Sequence, residues 1–133
     1  MTKTIRTTLA LAVALSLMAV GLPGAAVATK SAEVKVTLVS NGGDFSGKVK
    51  SKRGKCKADR EVKVYIQGGN SPDRSSDELY NSDTSEDNGD WSLGNNRAGE
   101  GTYYAYVGRK SGCKRAISES VDVPRDPFDE EDV

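Results

Sequence analysis

Short bursts of alternating hydrophobic and polar residues run through the chain from residue 34 onward. In the clearest burst, Val62, Val64 and Ile66 are spaced two residues apart. This period is that of a β-strand with one buried face. Glycine- and asparagine-rich turns separate the bursts, and residues 87–90 (DNGD) are typical of a hairpin turn. The seven predicted strands are 34–38, 45–49, 62–66, 78–80, 91–93, 102–107 and 117–123.

Seven short strands at this spacing predict an all-β fold, an antiparallel two-sheet sandwich. Alternation leaves one face of each sheet in water, which excludes an all-parallel sheet. The predicted core takes the inward hydrophobic residue of each alternating pair. Its members are Val34, Val36, Leu38, Phe45, Val49, Val62, Val64, Ile66, Leu79, Trp91, Leu93, Tyr103, Ala105, Val107, Ile117, Val121 and Val123.

The N-terminus predicts a cleaved secretory signal peptide over residues 1–28. Lys3 and Arg6 precede an apolar run over 9–20, and small residues at Ala26 and Ala28 suit a signal peptidase. The alternative is an uncleaved anchor, but spanning a bilayer takes ~20 apolar residues, more than this run has. We therefore expect a secreted or cell-envelope protein.

After cleavage we expect a β-sandwich domain over 29–124 and an acidic, disordered tail over 125–133. The chain has 19 basic and 19 acidic residues, and the leader holds two of the basic ones, so the mature net charge is −2. A nucleic-acid-binding domain usually shows a clear basic excess. We therefore expect no nucleic-acid partner. Without a second long apolar run we also expect no membrane insertion, and we expect a monomer.

Cys56 and Cys113 are the two cysteines of the chain, and both lie in the exported part. An even pair in a small domain of an oxidising compartment predicts a disulfide. The alternatives are two free thiols or a metal pair, but the chain has no histidine, so a zinc site would have too few soft ligands. The disulfide would stabilise a domain whose predicted core is small.

Four segments resemble a known class of secreted module. They are 45–49 (FSGKV), 60–64 (REVKV), 87–93 (DNGDWSL) and 101–107 (GTYYAYV). Across residues 45–123 they are similar to small secreted bacterial β-sandwich modules of the immunoglobulin-like, transthyretin-like or carboxypeptidase-regulatory kind. The resemblance implies a Greek-key sandwich acting as a stalk, spacer or binding module, and no catalysis. Fold alone does not define function.

Catalytic chemistry has little support in the sequence. Without histidine there is no Ser-His-Asp or Cys-His arrangement. The many carboxylates of residues 73–90 lie in a polar stretch, whereas general acid catalysis needs a carboxyl whose pKa burial has raised. We therefore predict that the protein is not an enzyme, and a small hydrolase or inhibitor is a remote alternative.

Two charged segments have binding alternatives. Asp83, Asp87 and Asp90 offer closely spaced oxygens for calcium, although their spacing is not that of an EF-hand. A calcium-stabilised adhesion or spacer module is therefore an alternative function. The basic segment 48–63 suits anionic polymers or, as we favour here, a solvated strand face. We expect no other cofactor.

The aromatic strand 102–107 carries the binding hypothesis. If Tyr103 points into the core, Tyr104 and Tyr106 point outward, and Tyr65 points outward on its own strand. Outward tyrosines can form a flat platform for sugar rings or a protein partner. The partner would be an extracellular protein or polysaccharide. Alternatively, the tyrosines pair across strands and only stabilise the sheet, and the protein is a spacer without a ligand.

Overall fold

The computed structural model describes residues 30–128, which form two antiparallel β-sheets and contain one disulfide. The predicted all-β class, the antiparallel pairing and the disulfide are confirmed. The predicted signal peptide and residues 129–133 of the predicted tail lie outside the described residues. In the described part of the tail, residues 125–128 are exposed.

Nine strands and one 3₁₀ turn, Gly54–Cys56, lie within residues 30–128. The strands are β1 (Lys35–Val36), β2 (Val39–Asn41), β3 (Asp44–Lys50), β4 (Glu61–Ile66), β5 (Glu78–Thr84), β6 (Asp90–Ser92), β7 (Gly101–Val107), β8 (Ala116–Ile117) and β9 (Val121–Val123). The last predicted strand is divided into β8 and β9. The first predicted strand contains only β1, and β2 begins just after its predicted end.

The first sheet is built around β3, which pairs with β1 and β2 on one side and with β6 on the other. Thr37 separates β1 from β2. The Thr37 N–H donates to the Lys48 carbonyl, as in a regular ladder. The Lys48 N–H, however, donates to the Thr37 hydroxyl oxygen, 2.9 Å away, and not to a backbone carbonyl. A side chain thus replaces one rung of the ladder, which explains the break.

The second sheet runs β5-β4-β7, with β8 and β9 both paired to β7. A bulge interrupts the β4–β5 register, since Val64 lies opposite Asn81 and Tyr65 lies opposite Leu79. Tyr80 is the extra residue, and it packs inward. Leu79 lies on the outer face and is 49% exposed, so its predicted place in the core is wrong.

The core lies between the two sheets. The Phe45 ring is 4.7 Å from that of Tyr103 and 5.7 Å from that of Tyr80, centroid to centroid, so residues of both sheets meet there. Ile66 and Val121 are partly buried against it. Ile117 is a second error of prediction, because it lies opposite Tyr106 on the outer face and is 50% exposed. The remaining predicted core residues are buried.

Residues 87–90 form a tight turn, as predicted, but not a hairpin between paired strands. The Gly89 N–H donates to the Glu86 carbonyl, and the Glu86 N–H donates to the Asp90 carbonyl. The strands on either side, β5 and β6, belong to different sheets. The turn therefore carries the chain from one sheet to the other.

Cys56 and Cys113 form the predicted disulfide, with their Cα atoms 5.4 Å apart and both residues fully buried. The bond joins the 3₁₀ turn that follows β3 to the turn between β7 and β8. In residues 30–128 no helix has the length and apolar character needed to cross a membrane.

Candidate functional site

Tyr65, Tyr104 and Tyr106 lie together on the face of the second sheet that points away from the core. This is the side that the alternation predicted. Tyr65 on β4 is directly opposite Tyr104 on β7, and the two rings stack 5.5 Å apart at 14°. Such a pair stabilises an antiparallel sheet through its side chains.

These tyrosines are buried, whereas the sequence analysis expected them to be exposed. Tyr104 is fully buried, and Tyr65 and Tyr106 are 9% and 8% exposed. The loop 68–77, which connects β4 to β5, contacts them from outside. The Tyr104 hydroxyl donates a 2.7 Å hydrogen bond to the Asp77 carboxylate, and the Arg74 guanidinium lies 3.6 Å from the centre of the Tyr106 ring. A cation at this position is attracted to the electron-rich face of the ring.

Asp77 holds the covering loop in place. Its carboxylate accepts the Gly68 N–H at 2.9 Å and the Asp73 N–H at 2.7 Å, in addition to the Tyr104 hydroxyl. These hydrogen bonds, with Gly68 contributing most, favour the charged form and hold the pKa of Asp77 below its ordinary value. Both ends of the loop are therefore tied to one carboxylate.

Tyr104 remains a neutral hydrogen-bond donor at physiological pH. Burial raises the pKa of its phenol, and the hydrogen bond to the Asp77 carboxylate and the charge of that group raise it further. An ionised Tyr104 phenol would lose its hydrogen bond to Asp77, and the two negative charges would repel each other. The arrangement thus favours a protonated Tyr104 beside a charged Asp77.

Two half-exposed aliphatic side chains flank the covered tyrosines. Leu79 lies opposite Tyr65 on one side, and Ile117 lies opposite Tyr106 on the other. We call Tyr65, Tyr104, Tyr106, Leu79 and Ile117 the tyrosine face. Sequence reasoning placed Leu79 and Ile117 in the core and missed the covering residues Arg74 and Asp77, which lie in a polar segment without a periodic signal.

The predicted calcium ligands are held apart by other partners. Asp83 accepts the Ser92 N–H at 2.9 Å, and Asp90 pairs with Lys48 at 3.1 Å and accepts from the Asn88 amide. Among residues 30–128, no three acidic, cysteine or histidine side chains converge in an arrangement that could hold a metal ion. The structure therefore does not bring Asp83, Asp87 and Asp90 together as a site.

Compared with protein-family models, curated proteins and solved structures, the chain matches none. Fold and surface alone define its class, a disulfide-linked antiparallel β protein of two sheets.

Proposed function

We propose that the protein is a secreted, non-catalytic β-sandwich module, and that it binds an extracellular protein or polysaccharide through the tyrosine face. One observation carries the proposal. Leu79 and Ile117, each about half exposed, flank a stacked tyrosine cluster on a sheet face that the core does not use.

The chemistry of this face suits recognition. Exposed aliphatic side chains beside aromatic rings are the kind of surface that becomes buried in protein interfaces. The face lies on the middle of the sheet, where β4 pairs along its length with both β5 and β7. Arg74, exposed above Tyr106, adds planar hydrogen-bond donors for a carbonyl or hydroxyl group of the partner. The face thus combines an apolar strip with a cationic donor.

A structural or spacer role is the second candidate, and the buried Tyr104 favours it. In this alternative the loop 68–77 simply completes the packing of the sheet, and Cys56–Cys113 stabilises the domain. The calcium-stabilised and hydrolytic alternatives have less support, because Asp83 and Asp90 are occupied by backbone, amide or lysine partners.

Binding of the secreted protein to a panel of cell-wall polymers, glycans and matrix proteins tests the proposal. The double variant Leu79→Ser/Ile117→Ser removes the apolar flanks without touching the buried rings. Val39→Ser is the matched control, because Val39 is 56% exposed on the first sheet. A ligand lost only in the double variant supports the tyrosine face. A ligand bound equally by all forms refutes it, and a blank panel favours the structural role.

Secretion is tested separately by intact mass. Material recovered from the medium of the producing cell should begin at Thr29. A mass that still contains residues 1–28 would contradict the predicted cleavage.

A further inference from the structure

The disulfide brings two strongly basic segments of the chain together. Residues 50–57 contain five basic residues and residues 109–115 contain four, and neither segment contains an acidic one. Cys56 and Cys113 lie inside these segments. The basic surface, as we call it, comprises Lys50, Lys52, Arg53, Lys55, Lys57, Arg109, Lys110, Lys114 and Arg115.

Two side chains of the first segment lie against the backbone of the second. The Arg53 guanidinium donates to the Gly112 carbonyl at 2.8 Å. A Cβ built on Gly112 would lie 3.1 Å from the Lys55 Nζ, so this ammonium also lies against the second segment. Cations from residues 50–57 therefore lie directly over the backbone of residues 109–115.

Within residues 30–128 most of these charges form no ion pair, and Asp59 and Glu61 line one cavity with Arg109 and Lys110 without pairing with them. Lys114 pairs with Glu33, and the other ion pairs within residues 30–128 involve Lys48 and Lys63, outside the basic surface. Six of its nine side chains are exposed: Lys50, Lys52, Lys55, Arg109, Lys110 and Arg115. The chain has equal numbers of basic and acidic residues, so concentrating nine cations here leaves the remainder of the chain acidic.

Arg60 adds a buried charge beneath the basic surface. It is 2% exposed, and its guanidinium donates to the carbonyls of Cys56, Gly108 and Lys114, which belong to both sides of the disulfide. In the described chain no carboxylate forms an ion pair with it. Carbonyl oxygens satisfy its hydrogens but do not cancel its charge. A positive charge in this low-dielectric position reinforces the potential of the lysines above it.

We propose that the basic surface binds an anionic polysaccharide. Lysine ammonium groups on flexible stems suit closely spaced sulfates or carboxylates on a polymer whose geometry varies. Residues 50–57 and 109–115 contain no aromatic side chain on which bases could stack, a feature typical of single-strand nucleic-acid sites. Tyr106 of the tyrosine face lines one cavity together with Arg109 and Lys110, so the two surfaces adjoin there. The basic surface itself contains no residue of the tyrosine face, so the inference goes beyond the proposed function.

Affinity measurements with heparin, a sulfated probe, and polygalacturonate, a carboxylated probe, test the inference, with neutral dextran as the reference. The triple variant Lys52→Ser/Lys55→Ser/Lys110→Ser removes three exposed cations from the basic surface. The control Lys48→Ser/Arg97→Ser/Arg125→Ser removes three cations from elsewhere and changes the net charge equally. Both variants must retain the wild-type circular dichroism spectrum and the disulfide.

We expect the triple variant to bind heparin or polygalacturonate at least about tenfold more weakly at low ionic strength, since charges closer than the Debye length of ~10 Å at 0.1 M salt interact. The control should change affinity by less than about twofold, and added salt should weaken wild-type binding. Whichever probe binds more tightly identifies the anionic group.

Three results would overturn the inference. Equal losses in the two variants would mean that net charge alone acts and that no defined surface exists. Wild-type protein that binds neither probe more tightly than dextran would exclude an anionic polysaccharide. Tighter binding to double-stranded DNA than to either probe would assign the surface to a different class of polymer. The Leu79→Ser/Ile117→Ser variant should bind heparin like the wild type, which separates this test from that of the tyrosine face.

Discussion

Tyr104 and Asp77, 27 positions apart in the chain, are joined by a 2.7 Å hydrogen bond from the phenol hydroxyl to the carboxylate. This bond attaches the middle of β7 to the last residue of the loop 68–77. The same carboxylate accepts the N–H groups of Gly68 and Asp73. One carboxylate thus joins the covering loop to itself and to the outer tyrosines.

The covering loop should loosen in acid. The pKa of Asp77 is lowered in the folded protein, so its stabilising effect is complete above the unfolded pKa of ~3.9 and disappears as pH falls through the lower folded value. The amide chemical shifts of Gly68 and Asp73, followed by NMR from pH 6 downward, should report this transition. Asp77→Asn should abolish the acid-dependent change at Gly68.

Glu33→Gln is the control for that titration. The pKa of Glu33 is also lowered, by its hydrogen bond and charge interaction with Lys114, but it lies outside the loop. This variant should leave the Gly68 titration unchanged. If Asp77→Asn and wild type titrate alike, Asp77 does not anchor the loop.

Removing the disulfide should destabilise the domain. Cys56 and Cys113 are 57 positions apart, and closing a loop of that length contributes ~4 kcal/mol in the chain-entropy model. We expect Cys56→Ser/Cys113→Ser to lower the free energy of unfolding by about this amount in urea denaturation. A loss below ~1 kcal/mol would show that the bond constrains little in the unfolded chain.

Arg60→Met should be strongly destabilising. The substitution preserves much of the side-chain volume but leaves the carbonyls of Cys56, Gly108 and Lys114 without their donor. Hydrogen bonds from charged donors contribute ~1.5–3 kcal/mol each. The substitution also removes the cost of burying the guanidinium, so we expect a net loss of about 3 kcal/mol in thermal or urea unfolding. Arg53→Met, which removes one bond to the Gly112 carbonyl at a half-buried site, should cost about 1 kcal/mol. Equal effects of the two substitutions would contradict this account.

Gly47→Ala should disturb the first sheet. A Cβ at Gly47 would lie 1.9 Å from the Thr37 carbonyl oxygen and 2.8 Å from Cζ2 of Trp91, so backbone and ring must both move. Such overpacking costs roughly 1–3 kcal/mol. Gly54→Ala is the matched control, because nothing lies within 4 Å of its Cβ position. Thermal unfolding distinguishes them, and similar melting temperatures would mean that the sheet absorbs the extra methyl group.

The strands and their inward faces were largely predictable from local pattern. Val62, Val64 and Val107 are buried where alternation places them, because successive side chains of a strand point to opposite faces whatever their partner strand. The disulfide followed from the even cysteine count and the expected compartment. Each of these inferences needs only the pattern of neighbouring residues or the number of cysteines in the chain.

Register, the covering loop and the joined basic segments required the tertiary structure. The bulge at Tyr80 moves Leu79 to the outer face, and pairing with Tyr106 places Ile117 there too. Sequence analysis identified the basic segment around residue 55, but not that the disulfide places residues 109–115 against it. Alternation is a property of neighbouring residues, so the sequence by itself determined where most of the strands lie and, for the strands with clear alternation, which side chains share a face. Contacts between distant parts of the chain decided which faces are covered and which charges come together, because the energies of those contacts exist only once the sheets have packed.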